Sequence, residues 1–186
     1  MIDFIKILIF TLFFTGCSMN ETKVPIVSHV DIDSFMGDWY VIAHIPAYIE
    51  KNAYNAIESY KKNADGTIAT TFTFNEGSFD GPKKQYNPKG FIIEGTNNAE
   101  WGMQFVWPIK AQYKISYLDK NYTHTIVARD ALDYVWLMSR NKELPHEDIV
   151  KFTEMIKAMG YNTDNLRLVP QQWSYSISFL AGLIIE

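Results

Sequence analysis

The feature that most constrains the fold is a succession of short, β-prone runs between Trp39 and Arg140. The runs are rich in β-branched and aromatic residues, turn signals separate them, and no segment of helical period interrupts them. This pattern predicts about eight strands in an antiparallel meander, either a sandwich or a closed barrel. The predicted strands are Trp39–His44, Ile57–Lys62, Thr67–Phe74, Gly90–Glu94, Met103–Trp107, Tyr113–Leu118, Tyr122–Ala128 and Tyr134–Ser139.

The hydrophobic period changes after the last of these runs. Pro145 is suited to the first turn of a helix, and Glu147 and Asp148 complement the positive end of the helix dipole. Apolar residues then recur on one helical face, and Gly160 is a natural stop. The sequence therefore predicts a single C-terminal helix over residues 145–159, packed against the outside of the sheet, followed by a short extended segment. The apolar positions are Ile149, Phe152, Ile156 and Met159.

Composition narrows the class of protein further. A chain of 186 residues suits one domain. Its formal net charge of −4 argues against nucleic acid as the main partner, because phosphate binding needs a basic face. A single cysteine excludes an internal disulfide framework and a multi-thiolate metal site. The aromatic share of 15% is high and suits a sheet or a ligand-lining interior.

The N-terminus resembles that of a bacterial lipoprotein. The apolar run Ile7–Phe14 is too short to remain as a membrane span, and it leads into Phe14-Thr15-Gly16-Cys17, which is similar to a lipobox. We expect residues 1–16 to be a cleaved signal peptide, Cys17 to carry acyl chains such as palmitate, and residues 17–30 to be the tether. Ser18 resembles the signal for sorting to the outer membrane. The alternative is an ordinary signal peptide with an incidental Cys17.

Two separated motifs resemble those of the lipocalin family. Gly37-Asp38-Trp39-Tyr40 matches G-x-W-Y, and Tyr134–Arg140 matches the motif at the last barrel strand. The resemblance covers residues 31–172 and is strongest to the bacterial outer-membrane branch of the family. It implies an all-β fold, an eight-stranded antiparallel up-and-down β-barrel with one C-terminal α-helix packed outside. It also implies that Arg140 crosses the barrel floor and packs on Trp39, so that Gly37, Trp39 and Arg140 are structural.

Strand alternation predicts which side chains face the interior of such a barrel. If Trp39 and Arg140 point inward, their neighbours of the same parity do so as well, unless a bulge shifts the register. For the strand Met103–Trp107 both parities remain open, and one of them places Phe105 inside. The predicted lining is mostly apolar and suits an acyl chain. These candidate ligand-binding residues are Val41, Ala43, Phe105, Tyr134, Trp136 and Met138.

The resemblance implies a function in lipid binding. The expected ligands are fatty acids and phospholipids, lysophospholipids above all, stored or transported for envelope maintenance under stress. The protein would be anchored in the outer membrane of a Gram-negative bacterium through acylated Cys17, would face the periplasm and would need no cofactor. The family also implies a homodimer. Tyr48, Lys51 and Tyr54 are candidate head-group contacts, or else ordinary solvated loop residues.

Other classes of function have weaker support. The four histidines are scattered without metal-ligand spacing, and Gly77–Gly81 is not a nucleophile elbow. Although His124 could face the cavity, we expect neither an enzyme nor a metal site. Two alternatives remain, namely a structural lipoprotein whose own side chains fill the barrel, and a carrier of another lipophile such as haem or a sterol.

The apolar tail, residues 173–186, does not fit the family pattern. It is too short to span a membrane. It could pack across a dimer, lie on the outer membrane beside the lipid anchor, or pack on the outside of the barrel.

Overall fold

The computed structural model describes residues 23–172, so the predictions for the signal peptide, Cys17 and the apolar tail lie outside it. Ten strands and two α-helices make up the described chain. The strands are β1 (Gly37–Ile45), β2 (Ala53–Lys62), β3 (Ile68–Glu76), β4 (Lys83–Tyr86), β5 (Lys89–Ile92), β6 (Glu100–Val106), β7 (Ile109–Leu118), β8 (His124–Ala128), β9 (Val135–Ser139) and β10 (Arg167–Leu168); the helices are α1 (Ile32–Phe35) and α2 (His146–Ala158).

The strands form a closed antiparallel barrel. The strands pair in the order β1-β2-β3-β5-β6-β7-β8-β9, and β9 then pairs with β1, so the sheet closes on itself. Both β4 and β5 pair with β3 on either side of Asn87 and Pro88, so they act as one interrupted strand. The barrel therefore has eight strands, which confirms the predicted fold and excludes the sandwich.

The pairing registers define two ends of the barrel. At one end, which we call the floor, α1 precedes β1, and the β2–β3 turn, the β5–β6 connection and the β7–β8 turn lie with it. At the opposite end, the mouth, lie the β1–β2 loop, the β3–β4 loop, the β6–β7 hairpin tip and the β8–β9 loop.

The C-terminal helix lies outside the barrel, as predicted. Phe152 and Ile156 on α2 are buried in a hydrophobic cluster with Ile126, Val135 and Leu137 of the adjacent strands. The helix covers the outward face of β8 and β9, which explains why these strands are apolar on both faces. None of the helices in residues 23–172 has the length and apolarity needed to cross a membrane.

One strand was missing from the sequence prediction. The β4 sequence Lys-Lys-Gln-Tyr contains no β-branched residue and no apolar alternation, so local propensity gives no strand signal. It is extended because β3 supplies its hydrogen-bond partners, with Phe72 opposite Tyr86 and Phe74 opposite Lys84. Pairing with β3, which is a tertiary effect, therefore makes this segment a strand.

Candidate functional site: a cavity inside the barrel

A β-bulge in β1 decides which of its side chains face the interior. The register against β9 shifts between Val41 and Ala43. Val41 stays in the interior cluster with Trp39, whereas Ala43 is buried in the outer cluster with Leu137 under α2. The expected inward position of Ala43 is therefore wrong, because strict alternation fails across the extra residue of a bulge.

Arg140 and Trp39 close the floor. The Arg140 guanidinium carbon lies 3.8 Å from the centroid of the Trp39 ring, the arrangement that the resemblance implies. Its nitrogens donate to backbone carbonyls at the end of α1 and the start of β1, including those of Phe35, Met36 and Asp38 at 2.7–3.0 Å. Three chain segments are thus joined at one planar cation.

Aromatic side chains fill the half of the barrel above this floor. Phe35 lies at the centre, with ring centroids 5.1 Å from Trp39, 5.5 Å from Tyr60 and 5.4 Å from Trp101. Trp101 stacks on Tyr113 at 5.2 Å. We call these five residues the aromatic plug. Because they are fully or almost fully buried, the free space is confined to the half of the barrel near the mouth.

The remaining space is a cavity of about 170 Å³, mainly apolar and open at the mouth. Of the predicted ligand-binding residues, Phe105, Tyr134 and Trp136 line it. Val41 and Met138 are opposite each other in the β1–β9 ladder and are fully buried in the interior cluster, outside the cavity lining. The other lining residues are Ala47, Ile49, Glu50, Glu58, Phe72, Met103, Ala111, Gln112, Tyr113 and Arg129.

A buried carboxyl group faces this cavity from β2. The Tyr60 hydroxyl donates to Glu58 Oε2, and the Tyr60 and Tyr113 hydroxyls are 2.6 Å apart. Burial raises the pKa of Glu58 from 4.5 to about 7, and the neighbouring carboxyl of Glu50 adds to the increase. Burial also raises the pKa of both tyrosines well above 10. The cavity therefore has one polar corner in an apolar lining.

A second buried carboxyl, Glu50, lies in the β1–β2 loop and also lines the cavity. It accepts hydrogen bonds from the Ala47 amide at 2.9 Å and from the Trp136 indole at 3.2 Å. His44 Nδ1 is 3.8 Å from Glu50 Oε2, and within the described chain neither ring nitrogen of His44 has a hydrogen-bond partner. Like Glu58, Glu50 therefore places carboxyl oxygens beside the apolar part of the cavity.

Neither carboxyl was predicted as a site residue. The alternation Ala56, Glu58, Tyr60 along β2 was the available signal for Glu58, since all three share a parity and are buried. Glu50 had no comparable signal, because it belongs to a short 3-10 turn, Tyr48–Glu50, in the β1–β2 loop. Its burial depends on contact with β9.

A second cavity of about 240 Å³ opens beside the first at the mouth, and Ile49 lines both. The predicted head-group residues Tyr48 and Lys51 line it, together with Lys84 and Glu76, whose charged groups are 3.1 Å apart. Tyr54 lies elsewhere and packs edge-on against Phe79 with the ring centroids 5.1 Å apart. The mouth thus offers two lysines next to the apolar cavity.

His124 lies away from the cavity lining, beside Thr123 and Asp119 at the start of β8, with its Nδ1 3.9 Å from Asp119 Oδ1. Its ring lies 5.5 Å from Phe152 on the outside of the barrel, and its Nδ1 is 2.9 Å from the Thr123 hydroxyl. His124 is therefore part of the packing under α2. In residues 23–172 no three His, Cys, Asp or Glu side chains are grouped so that they could hold a metal ion.

An eight-stranded barrel with a closed floor and an apolar cavity at its open end defines a small-ligand-binding protein of the calyx class. Comparison with known proteins gives the family: the profile of the lipocalin-like domain matches residues 30–171, and the chain belongs to this family. Lipocalins bind small lipophilic molecules and are carriers rather than enzymes as a rule.

Named relatives agree with this assignment. The chain is 28% identical over 160 residues to the outer membrane lipoprotein Blc of Vibrio cholerae, covering 84% of this chain and 92% of the relative. It is 26% identical to temperature-induced lipocalin-1 of Arabidopsis thaliana, with 82% and 86% covered. It is 23% identical to apolipoprotein D of Bos taurus, with 79% and 80% covered. The resemblance to the bacterial branch is therefore confirmed.

Solved structures share the fold. Insecticyanin from the tobacco hornworm Manduca sexta superposes with a TM-score of 0.63 at 16% identity, covering 82% of this chain and 86% of that one. Lobster apocrustacyanin A1 gives 0.60 at 14% identity, with 87% and 97% covered. At these identities the likeness concerns the barrel alone.

Proposed function

We propose that the protein is a lipid-anchored outer-membrane lipocalin that binds fatty acids and phospholipids, lysophospholipids above all, for envelope maintenance under stress. The observation that carries the proposal is the junction of the two cavities at Ile49. An acyl chain enters the apolar cavity, while its polar head stays at the mouth near Lys51 and Lys84. Both lysines have a charge opposite to that of a phosphate group.

The size of the apolar cavity favours an acyl chain over a rigid polycycle. Its volume of about 170 Å³ is close to the ~150 Å³ that accommodates one benzene ring, and is small beside the usual 300 Å³ or more of ligand pockets. A slender chain can occupy such a space with one segment while the remainder lies in the mouth. Haem or a sterol, being rigid and wider, would require side chains of the cavity lining to move.

The burial of Glu58 supports a defined orientation of the ligand. Glu58 lines the cavity beside Tyr60 and Tyr113, and burial there disfavours a charged group, so a ligand carboxylate at the inner end of the cavity would be disfavoured in the same way. A carboxylate or phosphate at the mouth stays near solvent and lies closer to the lysines. The ligand therefore enters with its methyl end first.

The anchor and the cellular location are part of the same proposal. Cys17 would carry the acyl chains and hold the barrel on the outer membrane, facing the periplasm, after removal of residues 1–16. Four relatives bear the name outer membrane lipoprotein, which supports this location. Metabolic labelling with palmitate tests it. The parent protein should be labelled and fractionate with the outer membrane, whereas Cys17→Ser should lose both properties.

Ligand binding is tested with a cavity-filling variant. Native mass spectrometry of the Cys17→Ser protein, purified without added lipid, should show a bound mass of a lysophospholipid or fatty acid. In titrations with lysophosphatidylcholine, Ala111→Trp should bind at least about tenfold more weakly, because Ala111 lines the cavity and the indole fills it. Ala131→Trp, on an exposed turn, is the matched control. Ala47→Trp fills the cavity from the opposite loop if the first variant does not fold.

A structural lipoprotein with a filled barrel is the second candidate, and the aromatic plug favours it. The plug occupies the half of the interior next to the floor. A clean mass without ligand, together with no response to lysophospholipid or fatty acid, would establish this candidate and overturn lipid binding. A homodimer and a role for residues 173–186 stay proposals, and deleting residues 175–186 tests whether that segment affects oligomeric state or membrane partition.

A further inference from the structure

The tip of the β6–β7 hairpin exposes large apolar side chains to solvent. Val106 is 68% exposed, Trp107 82% and Ile109 70%, and Pro108 lies between the last two. These residues follow one another in the chain, so they form a continuous apolar tip rather than scattered surface positions. Patches of this kind mark interaction surfaces.

The tip lies at the mouth of the cavity. Phe105, at the base of the tip, lines the cavity and is 49% exposed. The β1–β2 loop adds Tyr48, 84% exposed, and Ile49, which lines both cavities. Two loops of different strands therefore present apolar and aromatic groups at the same end of the barrel. We call these residues of the two loops, Tyr48, Ile49 and Phe105–Ile109, the apolar lip.

Lysines accompany the apolar lip although the chain as a whole has a net charge of −4. Lys51 lies 4.9 Å from the centroid of the Tyr48 ring. Lys110 follows Ile109 in the chain, and its ammonium group lies over the Phe91 ring of β5, 3.7 Å from the centroid. Lys83 is exposed on the neighbouring strand β4. The acids of the same end are Glu76, Asp130 and Asp133, which pair with Lys84, Lys114 and Arg129, together with buried Glu50 and exposed Asp80.

We propose that the apolar lip docks the mouth of the barrel on the surface of a phospholipid bilayer. Trp and Tyr side chains favour the head-group level of a membrane, and Val and Ile favour the acyl boundary below it. Lysines beside them extend their ammonium groups to lipid phosphates. A soluble protein partner would not require this combination of Trp, Tyr and Lys around a lipid-sized opening.

Membrane docking is an addition to the proposed function, because it depends on the exposed apolar lip and not on the lipid that the cavity binds. Docking would orient the cavity towards the membrane, so a lipid could pass between bilayer and barrel without crossing water. The orientation follows from Phe105 and Ile49, which belong both to the lip and to the cavity lining.

Vesicle partition tests the proposal in the Cys17→Ser chain, which lacks the expected anchor. With phosphatidylcholine vesicles containing phosphatidylglycerol, the variant Val106→Ser/Trp107→Ser/Ile109→Ser should partition at least about tenfold more weakly. The matched control is Ile93→Ser/Val150→Ser/Leu168→Ser, three exposed apolar residues on other elements, with a change below about twofold. Residues 173–186 are present in every variant, so their contribution cancels.

A second measurement places Trp107 directly. Brominated lipids should quench the fluorescence of the parent protein more than that of Trp107→Phe, which keeps an aromatic side chain but lacks the indole. Equal quenching, or equal partition of the lip variant and the parent, overturns the proposal. A lip variant that changes the oligomeric state but not the partition also overturns it, because the lip would then be a contact between copies.

Binding of lysophosphatidylcholine without vesicles is measured on the same variants. None of the three substituted lip residues lines the cavity, so the lip variant should keep this binding. Partition without lipid binding would leave the docking proposal standing and remove the lipid-carrier function. Lipid binding without partition would overturn the docking proposal and leave the lipid-carrier function standing.

Discussion

Arg140 and Trp39 are joined face to face, with the guanidinium carbon 3.8 Å from the centroid of the indole ring. The indole nitrogen of Trp39 donates to the Phe35 carbonyl at 2.9 Å, and Arg140 donates to that same carbonyl at 3.0 Å. The last barrel strand is thereby tied to the first strand and to α1. The pair closes the barrel where the two ends of the sheet meet.

Replacing Arg140 with lysine should destabilise the protein by about 2–3 kcal/mol. A lysine keeps the charge but loses the planar stacking and most of the fork of hydrogen bonds to backbone carbonyls. Urea unfolding followed by circular dichroism measures the difference. Arg167→Lys is the matched control: Arg167 makes one such bond, to Ala53 at 2.9 Å, and its variant should lose less than about 1 kcal/mol. Equal losses would contradict a special role for Arg140.

Stability should depend on pH through Glu58. Its pKa is about 7 in the folded protein and 4.5 in the unfolded chain, so between these values the folded state binds more protons. The free energy of unfolding therefore falls as the pH rises from about 4.5 to about 7, by about 3 kcal/mol at most from this group. Glu58→Gln carries no charge and lacks this contribution.

The measurement is the free energy of unfolding of the parent and of Glu58→Gln across that pH range. Relative to the parent, the variant should become more stable as the pH rises and should differ little in its pH slope below about 4.5. Glu154→Gln, on the exposed face of α2, serves as the control and should parallel the parent. Parallel profiles for Glu58→Gln and the parent would refute a buried, neutral Glu58.

Neutralising the mouth lysines should weaken the binding of phosphate-bearing lipids. Lys51→Gln/Lys84→Gln should bind lysophosphatidylcholine about fivefold more weakly, and the difference should shrink at high salt because both lysines are near solvent. A long-chain alcohol, which has no phosphate, should bind both proteins alike. Lys61→Gln/Lys120→Gln, two exposed positions near the floor, is the control. An equal loss for the alcohol would exclude recognition of the head group.

A larger side chain at Ala43, which is packed under α2, should affect stability and not lipid binding. Ala43→Leu should overpack the outer cluster and cost about 1–3 kcal/mol of stability without changing lipid affinity. Ala111→Leu should have the opposite profile, with weaker lipid binding and a smaller loss of stability, since it extends into open cavity. Thermal unfolding measures the stability of both variants, and lipid titration measures their affinity. A loss of affinity in Ala43→Leu would place Ala43 inside the barrel after all.

The strand series and the two lipocalin motifs were sufficient to predict the barrel, its outer helix and the family. These features are local: period-two alternation, turn residues and the helical period of residues 145–159 are all set by near neighbours. Phe105, Tyr134 and Trp136 line the cavity, and contact with a ligand stays a prediction. Tyr134 and Trp136 share the parity of Arg140 with no bulge between them, and Phe105 belongs to one of the two parities that the sequence left open. Ala43 failed because a bulge at Ile42 is a property of two paired strands.

Sequence by itself thus determined the class of fold, the order of the strands and the apolar character of the interior. The tertiary structure alone decided where the interior is filled and where it is free. The aromatic plug, the buried carboxyls Glu50 and Glu58, and the apolar lip each arise from residues far apart in the chain that closure of the barrel brings to one level. Local propensity does not determine the height of a residue along the barrel axis, because strand tilt and register set that height only once the sheet has closed.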